Sequence, residues 1–410
     1  MNEDKGRAVE QDTGGAPTLA SLFFTFLKIG STSFGGFMAL ISVVQDYAVA
    51  RKKLLTHEDM LDGISLATLL PGPVAVNVVA YTGYRARGVK GAVASAIGVI
   101  LPAFLLLVGL SYVYVRFGRM PMVEHFFLGF IPAVAAIILT TAWNMGTKAV
   151  KGLPEAVIAF AAAGLLLGVG GFAVTLGIIG AGGFVGWLLF HRTASAPSVK
   201  DHGSSQQPGQ RQTGAESKQR MFVIAAVPLS AVPLFGFNTA LIMKLLATFG
   251  GMSVLLFGGG YVFIPLIQQV VVDGHGWVTR QEFIDAIALG QVTPGPILIS
   301  AAFIGYKVAG LAGAAAATAG IFTPPAVVML FCTGFLDRIK RSESIKSGMR
   351  GIRSAVIGMI AAAGVTVARS APPNAISLLI FCAALFALLR FKVETAWIIP
   401  AAGITGLLLY

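Results

Sequence analysis

The sequence predicts an all-α, polytopic membrane protein built of two repeats of inverted topology, each with broken or re-entrant helices. Three observations lead there. Only 12% of the 410 residues are charged and 56% are hydrophobic, against about 25% charged in a soluble domain. Apolar runs of bilayer-crossing length, roughly 18–25 residues, recur along nearly the whole chain. Pro and Gly, the strongest backbone breakers, interrupt those runs in the same order in both halves.

The repeat is explicit. Phe34-Gly35-Gly36 matches Phe257-Gly258-Gly259, with Gly260 following, at an offset of 223. The same offset pairs Thr56 with Thr279, Asp62 with Asp285, and Pro71-Gly72-Pro73 with Pro294-Gly295-Pro296. After a one-residue gap, an offset of 222 pairs Gly83-Tyr84 with Gly305-Tyr306. It also pairs Gly88 with Gly310, Gly91 with Gly313, Pro102 with Pro324 and Gly129 with Gly351.

Taken in order, residues 1–18 form a polar tail without the basic start and short apolar core of a cleavable signal. It is expected to be cytoplasmic. The first repeat, 19–190, opens with a Gly-interrupted segment (20–49) and a helix–break–helix segment carrying Pro-Gly-Pro (57–84). Helices near 88–116, 122–145, 154–169 and 171–190 complete it. Residues 191–220 are rich in Ser, Gln, Gly and Pro, a linker composition. An extra apolar segment, 221–237, precedes the second repeat, 238–410. That repeat's segments fall near 242–272, 280–306, 308–336, 348–368, 373–390 and 394–410.

The odd segment sets the topology. An even number of crossings per repeat returns the chain to its starting side, and one more crossing inverts the second copy. The loop charges agree. Arg51, Lys52 and Lys53, then Arg85, Arg87 and Lys90, then Lys148 and Lys151, share one side if both broken segments re-enter. Arg116 and Arg119 are exceptions on the other. In the second half, Arg338, Lys340, Arg341, Lys346, Arg350 and Arg353 occupy the opposite loop. The positive-inside bias predicts such a shift for inverted repeats. It places the N-terminus in the cytoplasm and the C-terminus outside. The net charge of +12 is then that of cytoplasmic loops, and no basic stripe interleaved with aromatics points to nucleic acid.

Backbone broken in lipid leaves polar groups that cost several kcal/mol each unless satisfied. Paired breaks therefore suggest a binding site at the midplane of a carrier. A half-helix starting after Pro73 or Pro296 would aim free N–H groups and a positive dipole end at an anion. Gly35-Gly36 and Gly258-Gly259-Gly260 would let backbone approach it closely. Asn77 and Ser300 follow the breaks at equivalent positions and suit either oxyanion binding or helix packing. Arg85 and Lys307 follow the Gly-Tyr pairs and suit either anion attraction or interfacial anchoring. Asp62 and Asp285 are proton-carrier candidates or ordinary residues of a wet first turn beside Glu58, Asp59 and Glu282. Two cysteines (Cys332, Cys382) and five scattered histidines offer no metal-ligand spacing, and no cofactor is expected.

The pattern FGG, T-x(5)-D, PGP and GY[RK], present twice, resembles the chromate ion transporter family in its long, two-domain form. The closer copy is FGGGYVFIPLI…WVTRQEFIDAIALGQVTPGP…GYK; the first has Phe37 after FGG where many members have proline, and Leu69-Leu70 before PGP. The resemblance implies export of chromate, a small tetrahedral dianion, from the bacterial cytoplasm across the inner membrane. Resistance and coupling to protons or a counter-anion are part of that implication. Physics alone reaches an anion carrier, so sulfate or another oxyanion stays open. A membrane enzyme such as a chromate reductase would need flavin, metal or paired thiols, and no such motif is present.

Overall fold

The computed structural model describes residues 17–33, 37–118, 120–191, 238–256, 263–335 and 342–410. The Gly35-Gly36 and Gly258-Gly259-Gly260 clusters lie outside the described residues, as do nearly all of the linker and the extra segment. Among the described residues every regular element is helical, and five helices are long and apolar enough to cross a membrane.

In the first half, α1 (Leu19–Thr32) and α2 (Phe37–Gln45) flank the FGG break. α2 runs on through a π turn, Asp46–Arg51. The Tyr47 hydroxyl lies 3.2 Å from Thr25 Oγ1, residues nearly equidistant from the break. The chain therefore doubles back between α1 and the π turn. α3 (His57–Leu69) and α4 (Val74–Phe117) follow. α4 is two helical arms, since Arg87 and Gly88 leave helical geometry (Gly88 φ 61, ψ −154). The left-handed φ requires glycine. The chain reverses there, bringing Gly83 against Gly91 so closely that a Cβ on either would overlap the other's carbonyl oxygen.

α5 (Pro121–Leu128) runs through Gly129, itself helical at φ −62, ψ −23, into α6 (Phe130–Ala149). α7 (Leu153–Gly168) and α8 (Phe172–His191) complete the half.

The second half reproduces this backbone. α9 (Thr239–Ser253) and α10 (Phe263–Ile267) flank the second FGG, and a π turn again follows, Gln268–Gly274. α11 (Arg280–Val292) leads to the second PGP, a short 3-10 turn (Ile297–Ile299) and α12 (Ser300–Thr333). α12 reverses at Ala309-Gly310, with Gly310 at φ 59, ψ −150 and Gly305 against Gly313. α13 (Glu343–Ala368), α14 (Ala375–Phe386, extended by a π turn to Phe391) and α15 (Thr395–Leu409) close the chain. Left-handed residues also fall at matched positions: Lys53 with Gly276 and Gly72 with Gly295.

The halves are not separate globules. Gly129 at the α5–α6 junction packs against Ala402 and Gly406 of α15, and its counterpart Gly351 on α13 packs against Gly182 and Gly186 of α8. Each half thus lends its last helix to the other. Small residues allow this because lipid offers no hydrophobic drive for helix association, leaving close packing to supply it.

Gly129→Ala and Gly351→Ala should each cost about 1–3 kcal/mol through overpacking. Gly109→Ala, whose Cβ meets nothing within 4 Å, should be neutral. Thermal unfolding of detergent-solubilised protein measures all three.

Candidate functional site

Each PGP forms the tip of a helical hairpin. α3 and α11 have 13 residues each, about 20 Å at 1.5 Å per residue, too short for a hydrocarbon core of about 30 Å. Both begin with a capping box. Thr56 accepts from Asp59 N while Asp59 accepts from Thr56 N, and Thr279 and Glu282 repeat the exchange.

The same carboxylates meet the cations that follow Gly-Tyr. Arg85 Nη2 lies 2.6 Å from Asp59 Oδ1, and Lys307 Nζ pairs with Glu282 Oε1. These pairs tie the open ends of the two hairpins, at the far end from the tips. Asp59 is held below the usual carboxylate range by the Thr56 hydroxyl and then by Arg85. Burial pushes Glu282 up, but hydrogen bonds from Lys307 and Thr279 outweigh it and hold the group low.

At the tips, Gly72 and Gly295 take φ of 101° and 124°. A Cβ on Gly72 would overlap Pro325 on α12, and one on Gly295 would come into contact with Ala103 on α4, 3.5 Å from its Cβ. Ala103 and Pro325 are themselves 222 residues apart, so each tip is seated on the equivalent site of the other half. The Gly72 amide also donates to the Leu256 carbonyl, just before the second FGG. Asn77, fully buried, donates Nδ2 to the Pro71 carbonyl at 3.1 Å and holds the first tip in shape. Its Oδ1 has no partner. Ser300, its counterpart, is spent on its own backbone through Ile297 O.

Val74, Ala75 and Val76 begin the returning arm and are all buried. Their amides are the orphan donors of a helix start, and Pro73 at the N-cap gives them no side-chain acceptor. Just before the second tip, Gln291 carries a buried Nε2 without an acceptor. Sequence reasoning passed over Gln291 as a site residue. Its signal was its place three residues before Pro294.

The two matched aspartates differ. Asp62 is half-buried, whereas Asp285 is 1% exposed, so its expected alternative as a wet first-turn residue is overturned. Burial follows from a contact across the halves: Tyr114 of α4 donates its hydroxyl to Asp285 Oδ2 at 2.7 Å. Gln281 donates to Oδ1 at 2.9 Å. The Tyr114 ring is fixed edge-on to Phe127 and Phe303, at 4.8 and 4.9 Å.

Five helices long and apolar enough to cross a membrane, with the hairpins packed among them, define an all-α polytopic membrane protein. The chain belongs to the chromate transporter family, which matches residues 20–187 and 243–407. It is 28% identical over 394 residues to a chromate transport protein of Cupriavidus metallidurans, covering 96% of this chain and 94% of that one. It is 30% identical over 409 residues to a chromate transport protein of Pseudomonas aeruginosa, covering 95% and 92%. An uncharacterised transporter of Methanocaldococcus jannaschii is 29% identical over 398 residues, covering 96% and 95%. No solved structure matches.

Double-mutant cycles on Asp59/Arg85 and Glu282/Lys307, read by thermal unfolding, should differ. The first pair, 29% and 43% exposed, should couple by no more than about 1 kcal/mol. The second, 20% and 28% exposed, should couple more strongly.

Proposed function

We propose that this protein is a secondary transporter that exports chromate across the bacterial inner membrane and so gives chromate resistance. The observation that carries the reading is the buried start of the returning α4 arm, where amides 74–76 have no side-chain cap. A buried helix start without a side-chain cap suits a ligand, and donors at a positive dipole end suit an anion. Family membership supplies the identity of the anion.

In this reading Pro71-Gly72-Pro73 with Asn77, and Pro294-Gly295-Pro296 with Ser300, form two related half-sites. The glycines of both FGG clusters complete them. Inverted topology, with the N-terminus cytoplasmic and the C-terminus periplasmic, would bring the half-sites in from opposite faces. The crosswise seating of the tips supports it. Arg85 and Lys307 close the hairpins and draw anions toward them at longer range. Asp285 is favoured over Asp62 as the proton carrier. It is buried between two neutral donors, and movement of α4 against α11 would break the Tyr114 contact and change its proton affinity.

Everted vesicles provide the test. They should accumulate chromate under an imposed proton gradient, stop when the gradient is collapsed, and show weaker transport of sulfate. Asp285→Asn should lose the gradient dependence while retaining chromate–chromate exchange. Sulfate accumulation without any chromate transport would instead favour the sulfate reading, since the two dianions share shape and charge.

A further inference from the structure

Arg353 lies on α13, ten residues past its start. Its Nη2 donates to the Thr68 carbonyl at 2.9 Å. Thr68 is in the last turn of α3, directly before the first tip. The guanidinium therefore sits at the inner end of the hairpin, opposite in depth to Arg85 at its base. The side chain is half-buried, and no described carboxylate pairs with it. Its neighbour one turn back, Arg350, is engaged with Glu155 and the face of Phe190.

A cation inside a bilayer without an anionic partner is costly and marks a substrate pathway when it persists. Capping the α3 carboxyl end uses one of five N–H donors. The planar fork that remains matches an oxyanion. The repeat sharpens this. An offset of 222 places Ile131 at the equivalent position in the first half, and an offset of 223 places Gln291 opposite Thr68. The first tip thus has a cation, and the second has the unpartnered Gln291 amide. One dianion per chain needs no second cation.

We propose that Arg353 is the charge-neutralising ligand of the transported dianion, binding it at the first hairpin tip while anchored to the Thr68 carbonyl. This rests on the oxyanion-transport reading and adds to it the residue that selects for two negative charges.

The full chain in proteoliposomes tests it. Wild type, Arg353→Gln, Arg353→Lys and the exposed-site control Arg369→Gln are compared for chromate KM and Vmax. Inhibition by sulfate (a dianion) and perchlorate (a monoanion of the same shape) is measured alongside. Arg353→Gln should raise chromate KM at least tenfold and lose the preference for sulfate over perchlorate. Arg353→Lys should recover part of both, and Arg369→Gln should match wild type. Lower Vmax at unchanged KM and preference would mean that Arg353 only caps α3, overturning the proposal. If Arg353→Gln fails to fold, Arg353→Lys decides: KM and preference equal to wild type overturn the proposal, and a partial loss of both supports it. A wild-type protein that moves no oxyanion would sink the transport reading itself.

Discussion

Everything in this fold depends on how broken backbone is satisfied away from water. Two Pro-Gly-Pro tips interrupt the helical ladder, and lipid cannot serve the groups this frees. The solution is exchange. Gly72 sits on Pro325 and donates to Leu256, Gly295 sits on Ala103, and both supporting helices belong to the other half. The last helices of each half cross over in the same sense through Gly129 and Gly351. In this chain each tip is covered by the opposite half.

The exchange leaves little unsatisfied, which gives the remainder meaning. Several buried hydroxyls find a backbone carbonyl one turn away, as Thr82, Ser111 and Thr293 do. Among the described residues Asn77 Oδ1 and Gln291 Nε2 lack a partner beside the tips, as Ser95 Oγ and Thr140 Oγ1 do away from them. The well-partnered charges lie elsewhere: Arg85 and Lys307 answer carboxylates at the hairpin bases. Paired charges and unsatisfied buried amide atoms are thus divided between the two ends of the same hairpin.

Much of this was legible in the sequence because glycine and proline act locally. The offset alone paired Gly88 with Gly310 and Gly129 with Gly351, without saying that the chain reverses at the first pair. Side-chain partnerships were less legible. Nothing in the spacing says that Asp285 meets Tyr114, 171 residues away, while its twin Asp62 stays half-buried. Arg353 read as one more cation of a basic loop, because depth along a helix depends on where that helix starts in three dimensions. Nothing in the spacing says that Arg85 and Lys307 meet the capping-box carboxylates Asp59 and Glu282.

The central claim is that the two hairpin sets enter from opposite faces of the membrane. With Cys332 and Cys382, the two native cysteines, replaced by serine, single cysteines can be placed at Arg51 and His275, exposed positions at the ends of the matched π turns. A membrane-impermeant thiol reagent applied to whole cells and to everted vesicles then reads sidedness. The account predicts that Arg51→Cys is labelled only from the cytoplasmic face and His275→Cys only from the periplasmic face. Labelling of both from one face would contradict it.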